Sequence, residues 1–115
     1  MKRKKFYNKL VRDYIPDIIR QQGRVPNYRR LSPMEREQAL LAKLVEEVNE
    51  LRNAETREEV IEELADIQTV LAFIRGEYGL RYAEVYKRQL EKDKTNGRYL
   101  YGYYLESVEI PDKID

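Results

Sequence analysis

The chain contains no cysteine and no histidine. The first absence excludes disulfides and thiolate metal sites; the second removes the usual base at neutral pH and the commonest zinc ligand. Any catalysis must rest on carboxylates, amines and hydroxyls, or on a hard cation held by oxygen ligands. No stretch approaches the roughly 20 apolar residues of a membrane span. The basic start from Lys2 to Lys5 is not followed by the apolar run of a signal peptide. The expectation is therefore a soluble, cytoplasmic protein without a membrane partner. Charge of one sign is also missing: 22 Lys and Arg against 21 Asp and Glu leave a net charge of +1, so no global field draws the chain to nucleic acid.

What is present is charge in quantity. Of 115 residues, 37% are charged and 42% apolar, too apolar for disorder yet more charged than an average domain. The length suits a single domain over residues 1–115.

Helix signals dominate. Asp13 can cap a short helix with Pro16 in its first turn, ending at Gly23. Residues 24–31 lack periodicity and read as a loop, with Arg24, Arg29 and Arg30 on its surface. Ser32, Pro33 and Glu35 form a capping box, and Leu40, Leu41, Leu44, Val48 and Leu51 then recur at helical spacing up to Asn53. Thr56 and Glu59 open another helix that should reach Gly76 or Gly79. That helix is apolar over more than half its circumference, which predicts burial on several sides and a partner subunit. Residues 80–95 form a last helix closed by Asn96 and Gly97, and the Tyr-rich tail beyond it could pair as a strand or hairpin. The fold class expected is all-α, a bundle of four to five helices with a short extended C-terminal tail, dimerising through the helices.

The charge has a pattern. At about 100° per residue, Glu47 and Glu50 lie with Lys43 along one border of the apolar stripe, while Glu46 points further toward solvent. Glu63 and Asp66 repeat the three-residue spacing on the next helix, with Glu63 among apolar positions. Antiparallel helices joined by residues 53–56 would bring the two pairs face to face. Converging carboxylates repel one another, and a hard divalent cation such as Mg²⁺ relieves the conflict while leaving room for phosphate ligands. Taken singly, each pair is also an ordinary solvated helix face.

These residues resemble a known family. Lys43-Leu-x-Glu-Glu-x-x-Glu50 followed by Glu63-x-x-Asp66 is similar to the signature of the all-α nucleoside triphosphate pyrophosphohydrolases, which include MazG, the dimeric dUTPases and phosphoribosyl-ATP pyrophosphatase. The segment Tyr7-Asn-Lys-Leu-Val-Arg-Asp-Tyr-Ile-Pro-Asp-Ile-Ile19 resembles the start of a MazG-like branch. The resemblance implies Mg²⁺, with Mn²⁺ as a substitute, and a homodimer or dimer of dimers. It also implies hydrolysis of a nucleoside triphosphate, standard or damaged, ribo or deoxy, to monophosphate and pyrophosphate through metal-activated water. It makes Glu47, Glu50, Glu63 and Asp66 metal ligands and Glu46 an accessory acid, and Lys43 matches the motif's lysine. Asn8, Lys9, Arg12 and Asp13 would meet substrate phosphate or anchor an ion pair near the site; without the resemblance they read as a solvated basic arm with Asp13 as a helix cap. The later segment departs from the family pattern, so Lys92, Lys94 and Arg98 are all candidates for phosphate.

Other readings stand beside this one. Cleavage of phosphoribosyl-ATP is one. A nucleic-acid-binding module would use Lys2 to Lys5, Arg29, Arg30 and the tyrosines at 99, 101, 103 and 104, but leaves the acidic helices unexplained. A non-catalytic helical dimer would leave the carboxylates solvated. Those tyrosines fit an interface or core better than a stacking platform.

Overall fold

The computed structural model describes residues 3–112; Lys2 of the basic start lies outside them. Four helices follow in order: α1 (Ile15–Gln21), α2 (Pro33–Arg52), α3 (Arg57–Glu77) and α4 (Tyr82–Asn96). No strand occurs among the described residues, so the all-α expectation holds at that level. The chain divides into two compact units, one ending at Tyr82 and one beginning at Ala83.

In the first unit, local chemistry sets most helix boundaries. Ser32 Oγ accepts from the Glu35 amide at 3.3 Å, and Glu35 Oε1 accepts from the Ser32 amide at 3.1 Å. Arg29 adds two donors to the same carboxylate, at 3.2 and 2.7 Å. With Arg29 and Ser32 both bonded to it, the Glu35 carboxyl is held down to about 2. One of the three arginines read as loop surface therefore secures the start of α2. Thr56 Oγ1 accepts from the Glu59 amide at 3.1 Å, while the Glu59 carboxylate takes the Thr56 hydroxyl and the Glu55 amide. Gly23 and Gly79 sit at φ +77° and +65°. The following amides, of Arg24 and Leu80, reach back to Ile19 and Arg75, closing α1 and α3 in the left-handed turn that glycine adopts freely.

The expected Asp13 cap is not formed. Tyr14 occupies the cap position without a side-chain bond, because residues 12–15 already make a turn in which the Ile15 amide meets the Arg12 carbonyl. Asp13 is one residue too early.

The helices α2 and α3 pack as an antiparallel pair. Near the open end Arg36 pairs with Glu77, and the Tyr78 hydroxyl donates to Glu37 at 2.7 Å. Leu40 and Val70 are buried between the helices, with Leu44, Leu51, Ile67 and Ile74 half buried beside them.

The predicted burial of α3 on several sides is not met within the chain. Val60, Ile61, Leu64 and Leu71 remain 36%, 47%, 47% and 39% exposed, and Leu41, Val45 and Val48 of α2 are exposed as well. A helix pair covers one edge of each apolar arc and leaves the other open. Ideal helix angles put both open edges on the same side of the antiparallel pair.

In the second unit, α4 closes at Gly97, φ +79°, and Arg88 pairs with Glu91 at 3.3 Å. The tail does not form the expected strand or hairpin: residues 98–112 contain a turn at Leu100 and Tyr101 and no regular element. Tyr99, Tyr101, Tyr103 and Tyr104 are all exposed, so they form no core here. An isolated strand has no ladder partner and gains too little to order. No helix among the described residues is long and apolar enough to cross a membrane.

Candidate metal centre

The antiparallel packing of α2 and α3 brings Glu47, Glu63 and Asp66 together, each offering one carboxylate oxygen within 4.8 Å of the others. Glu47 is 7% exposed, and Glu63 and Asp66 are half buried. Lys43, one turn before Glu47, places its Nζ 3.4 Å from Glu47 Oε1.

Such crowding raises proton affinity. The Glu63 carboxyl is pushed up to about 7, first by its hydrogen bond with Glu47, then by burial and by the charges of Glu47, Asp66 and Glu50. Glu63 Oε2 is shut off from solvent and has no hydrogen-bond partner. A buried acceptor without a partner is a costly arrangement that a cation would relieve.

The donor set suits a hard ion. Octahedral Mg²⁺ with bonds of about 2.0–2.1 Å separates its ligand oxygens by ~2.9 Å when adjacent and ~4.2 Å when opposite. Oxygens as far apart as 4.8 Å would need to close by about 0.6 Å for an opposite pair and by up to about 1.9 Å for adjacent ones, a movement of flexible side chains. Glu47, Glu63 and Asp66 could thus hold such an ion. Glu50 is exposed and outside the trio, near enough to act on Glu63 through its charge.

The N-terminal arm is the part that helix periodicity could not place. Arg12 donates to Asp66 Oδ1 at 2.8 Å and to Thr69 Oγ1 at 3.3 Å. Lys9 Nζ lies 3.3 Å from Glu46 Oε1, the same oxygen that Lys43 Nζ meets at 3.3 Å. Glu46 is consequently half buried under the arm, not directed to solvent as its angle on α2 suggested. Asn8 lines a cleft between arm and helix. Thr69 was missed, although its place three residues after Asp66 follows the spacing that found the acids. Lys92 and Lys94 lie late in α4 and Arg98 just beyond Gly97, all in the second unit.

No family model matches the chain. It is similar to a protein of Mycolicibacterium smegmatis described only as an uncharacterized protein, with 57% identity over 53 residues. The match covers 46% of this chain and 54% of that protein, so the chain spans about half the length of the curated relative it matches. No solved structure matches.

Proposed function

We propose that the chain is a Mg²⁺-dependent nucleoside triphosphate pyrophosphohydrolase of the MazG-like kind, releasing a monophosphate and pyrophosphate. The observation that carries this reading is the trio of Glu47, Glu63 and Asp66 on facing helices, with the partnerless buried oxygen of Glu63 and a rim of cations from Lys9, Arg12 and Lys43. Carboxylates alone would repel a polyphosphate; carboxylates around a divalent ion, ringed by ammonium and guanidinium groups, would attract one.

Glu47, Glu63 and Asp66 would hold the ion, and Glu50, whose charge already acts on Glu63, is the candidate for a fourth ligand. Bound Mg²⁺ supplies Lewis-acid polarisation of the phosphate oxygens and neutralises charge at the anhydride. On loading of the site the Glu63 carboxyl would release its proton to solvent, and the Glu47 carboxylate would be placed to accept a proton from the attacking water. Arg12, released from Asp66, turns to the triphosphate, where a planar guanidinium pairs well with phosphate oxygens. Glu46 positions Lys9 and Lys43 at the same edge. Histidine and cysteine are not needed, because phosphoryl transfer depends on positioning and charge more than on a protein nucleophile.

The open apolar edges of α2 and α3 support assembly into a homodimer or a dimer of dimers. Leu64 and Leu71 on α3 and Val45 and Val48 on α2 are the residues such an interface would cover.

The reading is tested with a panel of standard, deoxy, oxidised and deaminated triphosphates, assayed for pyrophosphate with Mg²⁺, Mn²⁺ or EDTA. Metal-dependent release from at least one is expected. No turnover across the panel with either metal would end the reading. Salt-sensitive oligonucleotide binding indifferent to EDTA would favour a binding module instead.

A further inference from the structure

We propose that the cleft between the N-terminal arm and α2 is a nucleoside subsite, with the base lying between Tyr7 and the face of α2 that carries Ala39 and Ala42. This deepens the triphosphate reading and rests on it for the phosphate end of the ligand. The base end rests on different atoms.

The cleft encloses about 330 Å³. That is the room of roughly eleven waters at ~30 Å³ each, and it falls within the range of small-molecule pockets. Its α2 wall runs from Ala39 to Glu46, about 10.5 Å along the axis at 1.5 Å per residue. Polarity is graded along that wall. Lys43 and Glu46 stand at the end next to Glu47, while Ala39 and Ala42 lie a turn further back. Neither alanine projects beyond Cβ, so the helix surface there is a shelf on which a planar ring can lie. Leu10 adds apolar surface from the arm.

Tyr7 provides the opposing aromatic face. The Nζ atoms of Lys5 and Lys9 lie over its ring, 5.2 and 5.7 Å from the centroid, so the ring already presents its π face to cations, one of which a stacking base would displace; Lys9 is also paired with Glu46. Asn8 has φ +47°, a left-handed conformation that asparagine tolerates better than most side chains. The chain turns there, and Tyr7 and Asn8 both line the cleft. The Asn8 amide offers a donor and an acceptor side by side, the pattern that matches the paired polar atoms on a base edge. Aromatic stacking with an amide at the rim and cations toward the metal trio fits the base, sugar and phosphates of a nucleotide in that order. An apolar peptide would leave Lys9, Lys43 and Glu46 facing a partner with nothing to pair.

The test uses nucleosides, which carry no phosphate and need no metal. The full chain in EDTA is titrated with adenosine, inosine, cytidine and uridine, and with ribose as the control without a base, following backbone and methyl NMR shifts. Shifts are expected at Tyr7, Asn8, Ala39 and Ala42, with at least one nucleoside binding about tenfold tighter than ribose. Tyr7→Leu should remove that advantage, and Asn8→Gly, which keeps the left-handed backbone, should shrink the differences among bases. Shifts confined to other residues, or equal binding of nucleosides and ribose, overturn the subsite. So does an unchanged affinity in Tyr7→Leu; if that variant does not fold, Asn8→Gly and the wild-type shift map decide. Nucleoside binding at the cleft without any triphosphate turnover would keep the subsite and remove the hydrolase; turnover without shifts at the cleft would do the reverse.

Discussion

The guanidinium of Arg12 lies 2.8 Å from the carboxylate of Asp66, a residue 54 positions further along the chain. One cation of the arm thereby sits on a carboxylate that the proposed metal ion would claim. Arg12 compensates part of the charge of the acidic trio, and under the proposed function its release would couple loading of the ion to capture of the phosphates. Arg12→Met is expected to lower kcat/KM for the preferred triphosphate by roughly 10²-fold, the scale of losing a preorganised donor. Mg²⁺ affinity measured by calorimetry should stay the same or tighten. Weakened Mg²⁺ binding with unchanged kcat/KM would show that Arg12 only supports the site's shape.

Ligand binding that favours the folded state raises stability by mass action, about 2.7 kcal/mol at a concentration of 100 times Kd. Mg²⁺ should therefore raise the melting temperature of the wild type. Glu47→Gln and Asp66→Asn should abolish the rise, and should cut turnover by more than the roughly 10–100-fold typical of losing an outer partner of a ligand. A full Mg²⁺ shift retained in both variants would place the ion elsewhere.

Glu63 makes the metal-free chain sensitive to pH. Its folded value of about 7 stands above the roughly 4.3 of a free glutamate. Between those values the folded chain keeps a proton that the unfolded chain has released. Its contribution to stability is complete below about 4.3 and is lost as pH rises through about 7. Melting in EDTA should show that fall. Mg²⁺ bound at the trio as proposed would displace the proton, so its affinity should climb over the same interval, and Glu63→Gln should flatten the melting profile there. A metal affinity independent of pH from 5 to 8 would contradict the raised Glu63 carboxyl.

Leu64 is 47% exposed on the open edge of α3. Leu64→Asp should convert an assembled species to monomer in sedimentation equilibrium while helix content by circular dichroism is largely kept. An assembly of unchanged mass in the variant would show that this edge is not the interface.

Ser32 anchors the start of α2 through the reciprocal bond with Glu35. Ser32→Ala should cost about 1 kcal/mol of stability in urea titration. The Glu35 carboxyl, held to about 2, works in the opposite sense to Glu63. Its contribution is present above about 4.3 and disappears as pH falls toward 2. Glu35→Gln should accordingly narrow the stability lost between pH 5 and 2, and an unchanged acid profile would count against the Arg29 and Ser32 bonds.

Much of this was legible in the order of residues because it is local. Capping at Ser32 and Thr56 and the stops at Gly23, Gly79 and Gly97 depend on groups within a few positions of one another. Three-residue spacing likewise put Glu63 and Asp66 on one side of α3, and the short link after Asn53 made an antiparallel return the natural path. Where locality ran out, so did the reading. The periodicity of α2 gave Glu46 to solvent because no helix angle records that an arm from residues 7–12 will cross that face. The tyrosine tail had the composition of a strand but lacks the neighbour that a strand requires.

The sequence by itself determined the all-helical class, the caps of α2 and α3 and the chemistry open to any site: carboxylates, amines and hydroxyls, with no imidazole and no thiolate. Only the tertiary structure decided which carboxylates meet. It grouped Glu47, Glu63 and Asp66, left Glu50 outside the trio, and set Lys9 and Arg12 against Glu46 and Asp66. Helix angles repeat every few residues and are written in the chain. The approach of an irregular arm to a helix pair is fixed by ion pairs across 37 and 54 residues, and those exist only once the chain has folded.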